Sequence, residues 1–258
     1  MKITKIEEIE TLAQQYVVLS KGVIDYMKYA HYAAVQHSTA IEGSTLTISQ
    51  VNNLLEYGKT AKDKPYEHHQ MVHDHYTTLR WVIEKAQNKE LLSVDLIKEI
   101  GAGVMKNTGT VQNTMLGSYD TSKGEFRLQS VYAGKRTFPN YQKVPNLVKQ
   151  LCLETNKRLQ TAQTFQEKIE VAFYVHFEMV SIHIFGDGNG RTSRLLMNYV
   201  QQYFDLPLGI VFRQDRTKYI DALEATRNKE DSSIFYQFMF SQYRKFLKEE
   251  VKKLLALQ

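Results

Sequence analysis

The chain has 258 residues, 43% of them hydrophobic and 24% charged. That is enough for a sizeable core, and it excludes a disordered or low-complexity protein. The formal net charge is +5, but lysine and arginine are spread along the chain, so a mild bias towards acidic partners follows and no basic block marks a nucleic-acid face. The lone Cys152 lies between Leu151 and Leu153; it excludes a disulfide framework and reads as a buried small hydrophobe in a reducing compartment. Acids stand where a signal peptide needs an apolar run, and no stretch approaches the ~20 apolar residues of a membrane span, so a cytoplasmic location is expected.

Only four prolines and thirteen glycines interrupt the chain, and a mainly helical protein is predicted. Helical spacing runs over residues 5–20 and more strongly over 23–42, where Gly43 suits the position after a helix end. Thr47-Ile-Ser-Gln50 is a capping box that opens a helix ending at Gly58. Residues 59–65 form a loop and 66–87 a helix. His69 and His73 are four apart on that helix and could hold zinc, but no further ligand cluster accompanies them, so a polar helix face is the preferred reading. Ser93 caps the next helix. Residues 107–145 are rich in glycine and proline, and a β-hairpin near 126–138 is the one strand element expected. Helices follow over 144–161 and from a second capping box, Thr164 to Glu167. The latter is apolar on most sides and reads as the central buried helix. Another runs from the glycine-rich turn to about Tyr203, one starts at Asp215, and the last covers about 232–255.

The chemistry concentrates in His183-Ile-Phe-Gly-Asp-Gly-Asn-Gly-Arg-Thr-Ser-Arg194, where Gly186, Gly188 and Gly190 fall within five residues. A glycine-rich turn that opens a helix gathers backbone N–H groups at the positive end of the helix dipole, and such a site takes an anion. Arg191 and Arg194 strengthen that preference, with Asn189 as a further donor. Asp187 fits there if a divalent cation lies between it and the anion. His183 could move a proton near neutral pH, and Phe185 would anchor the loop in the core. No Lys-Ser/Thr follows the glycines, so this is not a P-loop, and a helix rather than a strand precedes it, so it is not a dinucleotide fingerprint.

The segment resembles the signature of the Fic family, His-x-Phe-x-(Asp/Glu)-Gly-Asn-Gly-Arg-x-x-Arg, at every defining position; Ile184 stands where the family usually has proline. The resemblance extends over roughly residues 38–228. It implies a single Fic-like domain over 1–258, a helical bundle with one short β-hairpin flap. Within it, about 1–60 would hold the N-terminal helices, about 90–230 the catalytic core and 231–258 the C-terminal helix. It implies transfer of AMP from ATP to a Ser, Thr or Tyr hydroxyl of a target protein. His183 would then be the general base, and Asp187 the ligand of Mg²⁺. Gly186 and the run Gly188, Asn189, Gly190, Arg191 and Thr192 would surround the phosphates, with Arg194 on the γ-phosphate. Val131, Tyr132, Ala133 and Gly134 match the flap that borders the nucleotide and pairs with the target's backbone. Tyr219 matches a position near the adenine; Arg227 stands where relatives often have asparagine.

Ser38-x-x-x-Glu42-Gly43 resembles the family's inhibitory motif, in the subclass whose inhibitory helix is N-terminal. There the glutamate pairs with the second arginine of the signature, Arg194 here, and competes with the γ-phosphate. Other transfers at the same site remain open: UMP, GMP or phosphocholine addition, or removal of AMP. A kinase-type relative carries lysine where this chain has Gly188. The partners expected are ATP and a target protein docked near 126–138, without membrane or nucleic acid; homo-oligomerisation is compatible with the sequence.

Overall fold

Local capping explains where the helices begin. Gln50 N–H donates to Thr47 Oγ1 at 3.3 Å while Thr47 N–H donates to the Gln50 side chain at 3.0 Å, so two of the first-turn donors are satisfied reciprocally. Thr164 and Glu167 do the same further along. In the computed structural model, which describes residues 3–133 and 136–257, the chain begins with α1 (Ile3–Ser20), α2 (Tyr26–Ile41), α3 (Ile48–Tyr57), α4 (Tyr66–Gln87) and α5 (Val94–Val104). Two antiparallel hairpins follow, β1 (Val111–Thr114) with β2 (Gly117–Asp120), and β3 (Tyr132–Ala133) with β4 (Arg136–Thr137). Then come α6 (Val144–Thr161), α7 (Phe165–Ile182), α8 (Asn189–Tyr203), α9 (Arg216–Lys229) and α10 (Ser232–Leu255).

The helices bury one hydrophobic cluster that runs from Ile6 in α1 to Leu254 in α10. The pair α7 and α8 has the most extensive contact; α4 lies on α8, α6 on α7, α2 on α4, and α1 on α10. The architecture is the expected mainly helical bundle, with two corrections. A second hairpin, β1–β2, was not expected: Val111-Gln-Asn-Thr carries one apolar residue, so no alternation signals a strand. The expected hairpin of 126–138 is shorter than predicted, two residues per strand, paired Tyr132 to Thr137 and Ala133 to Arg136.

α7 is buried along most of its length, as its apolar pattern implies, and its neighbour α8 is buried further. Every residue of α8 from Arg191 to Gln202 is buried, although seven of the twelve are polar or charged even without Tyr199; α7 keeps Gln166 and Glu167 exposed. Hydropathy cannot show burial where polar groups are bonded inside. His69 and His73 do not form a metal pair: the His69 ring accepts from Ala61 N–H at 2.9 Å and faces Pro65 O at 3.0 Å. No group of three or more metal-binding side chains occurs among the described residues, and no helix described is long and apolar enough to cross a membrane. Cys152 is buried and free, and burial raises its thiol pKa to about 11.

Candidate active site

α7 stops because His183 takes a left-handed backbone conformation, φ 55° and ψ 63°, while its N–H still donates to Met179 O at 3.1 Å. A non-glycine residue held there is strained, and such strain gathers at functional sites. The chain then turns through Gly188, also left-handed, into α8, whose first intrahelical bond is Thr192 N–H to Gly188 O at 2.9 Å. The N–H groups of Asn189, Gly190 and Arg191 precede that bond and so have no partner within the helix. Phe185 anchors the turn with 2% of its surface exposed.

His183 and this helix start line one cavity of about 290 Å³ with Glu42, Arg194, Phe138, Arg136, Arg216, Tyr219 and Arg227. It lies just below the range of about 300–1,000 Å³ usual for small-molecule sites. Four arginines line it against Glu42 and Glu224, so it favours an anion. Ile41, Val180, Ile220 and Leu223 add apolar lining.

The imidazole of His183 stacks on Phe138, with ring centroids 4.0 Å apart and planes at 26°. Its Nδ1 is enclosed and has no hydrogen-bond partner among the described residues. Burial, then the charges of Arg127, Arg136 and Arg227, push its pKa down to about 4 against a weaker pull from Asp187. The ring is therefore neutral at physiological pH and able to accept a proton.

Glu42 caps α2 and reaches Arg194. Its Oε1 accepts from Arg194 Nη2 at 2.7 Å, Arg194 Nε donates to Ser38 Oγ at 2.8 Å, and Nη2 also donates to Ser38 O at 3.0 Å. Gly43, at φ 106°, turns the chain away after the helix. Arg194 has 4% of its side chain exposed and Glu42 33%. Burial opposes ionisation of Glu42, but the Arg194 charge and hydrogen bond, with Arg191 and Arg216 beyond, outweigh it and hold the carboxyl below its usual range. A Cβ on Gly190 would run into Glu42 Oε1. The carboxylate thus lies against the open first turn of α8, where an anionic ligand would otherwise sit.

Several expected ligands have other work. The Asn189 amide is locked across the turn, accepting from Phe185 N–H at 3.0 Å and donating to Phe185 O at 2.9 Å, so it is not a free donor. Arg191 points its guanidinium at Val104 O, 3.2 Å, and Met105 Sδ, 2.9 Å, and is buried. Thr192 is fully buried, and its hydroxyl has no partner among the described residues. These three can meet a phosphate through backbone N–H groups only at Asn189 and Arg191. Gly186 lies against the Tyr119 ring. Tyr219 has 2% of its surface exposed, and its hydroxyl meets His176 Nε2 at 3.0 Å; it contributes to the cavity wall. Tyr132 is exposed on β3, Val131 O accepts from Phe138 N–H at 3.3 Å, and Gly134 lies outside the described residues.

Asp187 is exposed at the turn, makes no salt bridge among the described residues, and uses one oxygen to accept from Gly188 N–H. A single open carboxylate fits Mg²⁺ that arrives with a nucleotide, because that ion keeps water and phosphate oxygens as its other ligands.

Three residues had no sequence signal. Arg127 donates to His183 O, Arg216 donates from Nε to Ile41 O at 2.8 Å at the end of α2, and Phe138 carries the stack.

Residues 91–201 match the family model described as Fic/DOC family. The chain carries a Fic/DOC family segment. A protein adenylyltransferase Fic from Aedes aegypti is 30% identical over 214 residues, which is 82% of this chain and 40% of that protein. The chain spans about two fifths of the length of the curated relatives it matches. Among solved structures, a Fic domain containing signaling protein from Bacteroides thetaiotaomicron aligns with a TM-score of 0.83 at 20% identity, over 96% of this chain and 97% of that one. Fic-1 from C. elegans aligns at 0.80 and 23% identity, over 98% of this chain and 73% of that one. At these identities the likeness is one of fold, and the bundle around the Fic turn is shared.

Proposed function

We propose that this chain is an autoinhibited protein adenylyltransferase, acting in the cytoplasm as a single Fic-like domain, that moves AMP from ATP to a hydroxyl of a target protein. The observation that carries this reading is one cavity holding His183, the open first turn of α8, Arg194 and Glu42 together. The relatives named protein adenylyltransferase support it.

The target hydroxyl gives its proton to His183 as its oxygen bonds to the α-phosphorus, and the bond from that phosphorus to pyrophosphate breaks. A placed general base contributes about 10²–10⁴-fold. The N–H groups of Asn189, Gly190 and Arg191 hold phosphate oxygens as charge builds. Asp187 would hold Mg²⁺, which neutralises phosphate charge when bound. Arg194 takes the γ-phosphate when Glu42 releases it. The β3–β4 hairpin accepts an extended target segment along its edge.

A second reading keeps the chemistry and changes the base. Arg227 lines the cavity, its Nη2 has no partner among the described residues, and burial lowers its pKa to about 10. A guanidinium matches the paired acceptors of guanine better than the donor–acceptor edge of adenine.

Glu42→Gly protein incubated with Mg²⁺, cell lysate and ATP, UTP or GTP in turn tests both readings by mass spectrometry. Protein hydroxyls carrying AMP, absent with His183→Ala, are expected. Exclusive UMP or GMP transfer favours the second reading, and no adduct from any nucleotide overturns both.

A further inference from the structure

We propose that Arg127 is a positioning residue for this transfer: it sets the separation between His183 and the target hydroxyl by tying the His183 backbone to both flanks of the β3–β4 hairpin. The proposal rests on the adenylyltransferase reading.

Arg127 has 1% of its surface exposed. Its Nε donates to His183 O at 2.7 Å, Nη1 to Gln129 O at 2.6 Å and Nη2 to Pro139 O at 2.6 Å, while its own backbone N–H donates to Ile184 O at 3.1 Å. Among the described residues it has no carboxylate partner. A buried cation served by neutral carbonyls alone is a costly way to fill a core. What the guanidinium supplies is a rigid planar fork that fixes three carbonyls relative to one another.

Those carbonyls come from three segments that share a task. His183 carries the base. Gln129 precedes β3 and Pro139 follows β4, so the fork closes the root of the hairpin. Phe138, next to Pro139, stacks on the His183 ring and donates its N–H to Val131 O. Backbone and ring of the base are therefore both joined to the hairpin. The hairpin needs this, because two residue pairs make too short a ladder to hold a position alone. A target strand added to its edge inherits that position, and a base must stand about 2.6–3.2 Å from the proton it takes. Small errors in such placement are costly in rate.

Arg127→Lys and Arg127→Met in the Glu42→Gly background test this, with Mg²⁺, labelled ATP and lysate protein as acceptor. Three quantities are read: AMP on protein, free AMP released by transfer to water, and ATP affinity. Water needs no hairpin, so its share reports the register. The expected result is ATP affinity within about threefold of the parent, protein labelling down at least about tenfold, and free AMP per protein adduct up at least about threefold. Lysine, a point donor without the fork, falls between parent and methionine; if the methionine variant does not fold, the lysine variant decides. An unchanged ratio of free to protein-bound AMP overturns the proposal, since a merely structural defect lowers both together. A Glu42→Gly parent that labels no protein overturns the adenylyltransferase reading and this proposal with it, whereas a labelling parent with unaffected Arg127 variants overturns this proposal alone.

Discussion

Glu42 and Arg194 meet at 2.7 Å across 152 positions of sequence, and the carboxylate that makes this bond also lies against Gly190 in the first turn of α8. One side chain thus occupies two parts of an anion site: the guanidinium and the helix start. A phosphate entering both must displace it. Glu42 keeps a third of its side chain exposed and Arg194 only 4%, so the carboxylate can swing out to water, while the guanidinium it leaves stays buried and held by Ser38.

Ser38 holds the same arginine through Nε. Ser38→Ala removes one hydrogen bond of about 1 kcal/mol and keeps Glu42 in place. AMP transfer should rise by roughly fivefold over wild type and stay below that of Glu42→Gly, measured as label incorporated per minute. A Ser38→Ala rate equal to wild type would show that the serine adds nothing to the hold.

The turn itself should be fragile at Asn189. Alanine there strips the buried N–H and C=O of Phe185 of their partners, a loss of about 2–4 kcal/mol for two unsatisfied groups. Chemical denaturation checks it, and a change under about 0.5 kcal/mol would contradict the locking role.

How much of this could be read from residues alone varies with the kind of signal. Helix boundaries were legible where side chains bond their own backbone: Thr47 with Gln50, Thr164 with Glu167, and Gly58 in its left-handed cap. The signature was legible because its glycines and charges are consecutive. The Glu42–Arg194 contact was legible only through resemblance, since no local pattern links residues that far apart. The burial of α8 was hidden because Arg191, Thr192, Ser193, Gln201 and their neighbours look polar and are buried by pairing or by tight packing. Arg127 was hidden because its partners are backbone carbonyls, which every sequence has.

Acid should destabilise the fold in a defined window. His183, His31 and His37 have pKa values pushed down to about 4, in each case chiefly by burial, against about 6.5 when unfolded. Between those values the unfolded chain binds protons that the folded chain does not. Stability is therefore complete above about pH 6.5 and falls as pH drops towards 4. The melting temperature should fall through that window, and His31→Gln or His37→Gln should flatten the slope. A melting temperature independent of pH there would contradict the buried, neutral histidines.

The same depression shapes activity. In Glu42→Gly protein, kcat/KM should show no loss on the acid side from about pH 8 to 6, because His183 is already unprotonated. Phe138→Ala unstacks the ring and admits water, so the acid limb should move up towards 6.5 and the rate at neutral pH should fall roughly three- to tenfold. An unshifted acid limb in Phe138→Ala would mean that the stack does not set the base's protonation.

Glu42 is proposed to block a site otherwise ready to transfer AMP. The most direct measurement is the initial rate of AMP incorporation into protein from labelled ATP with Mg²⁺, wild type beside Glu42→Gly. Releasing a charge-assisted hydrogen bond of about 1.5–3 kcal/mol should make the variant faster by roughly 10- to 100-fold, with the signal gone in Glu42→Gly/His183→Ala. Equal initial rates for wild type and Glu42→Gly would contradict it.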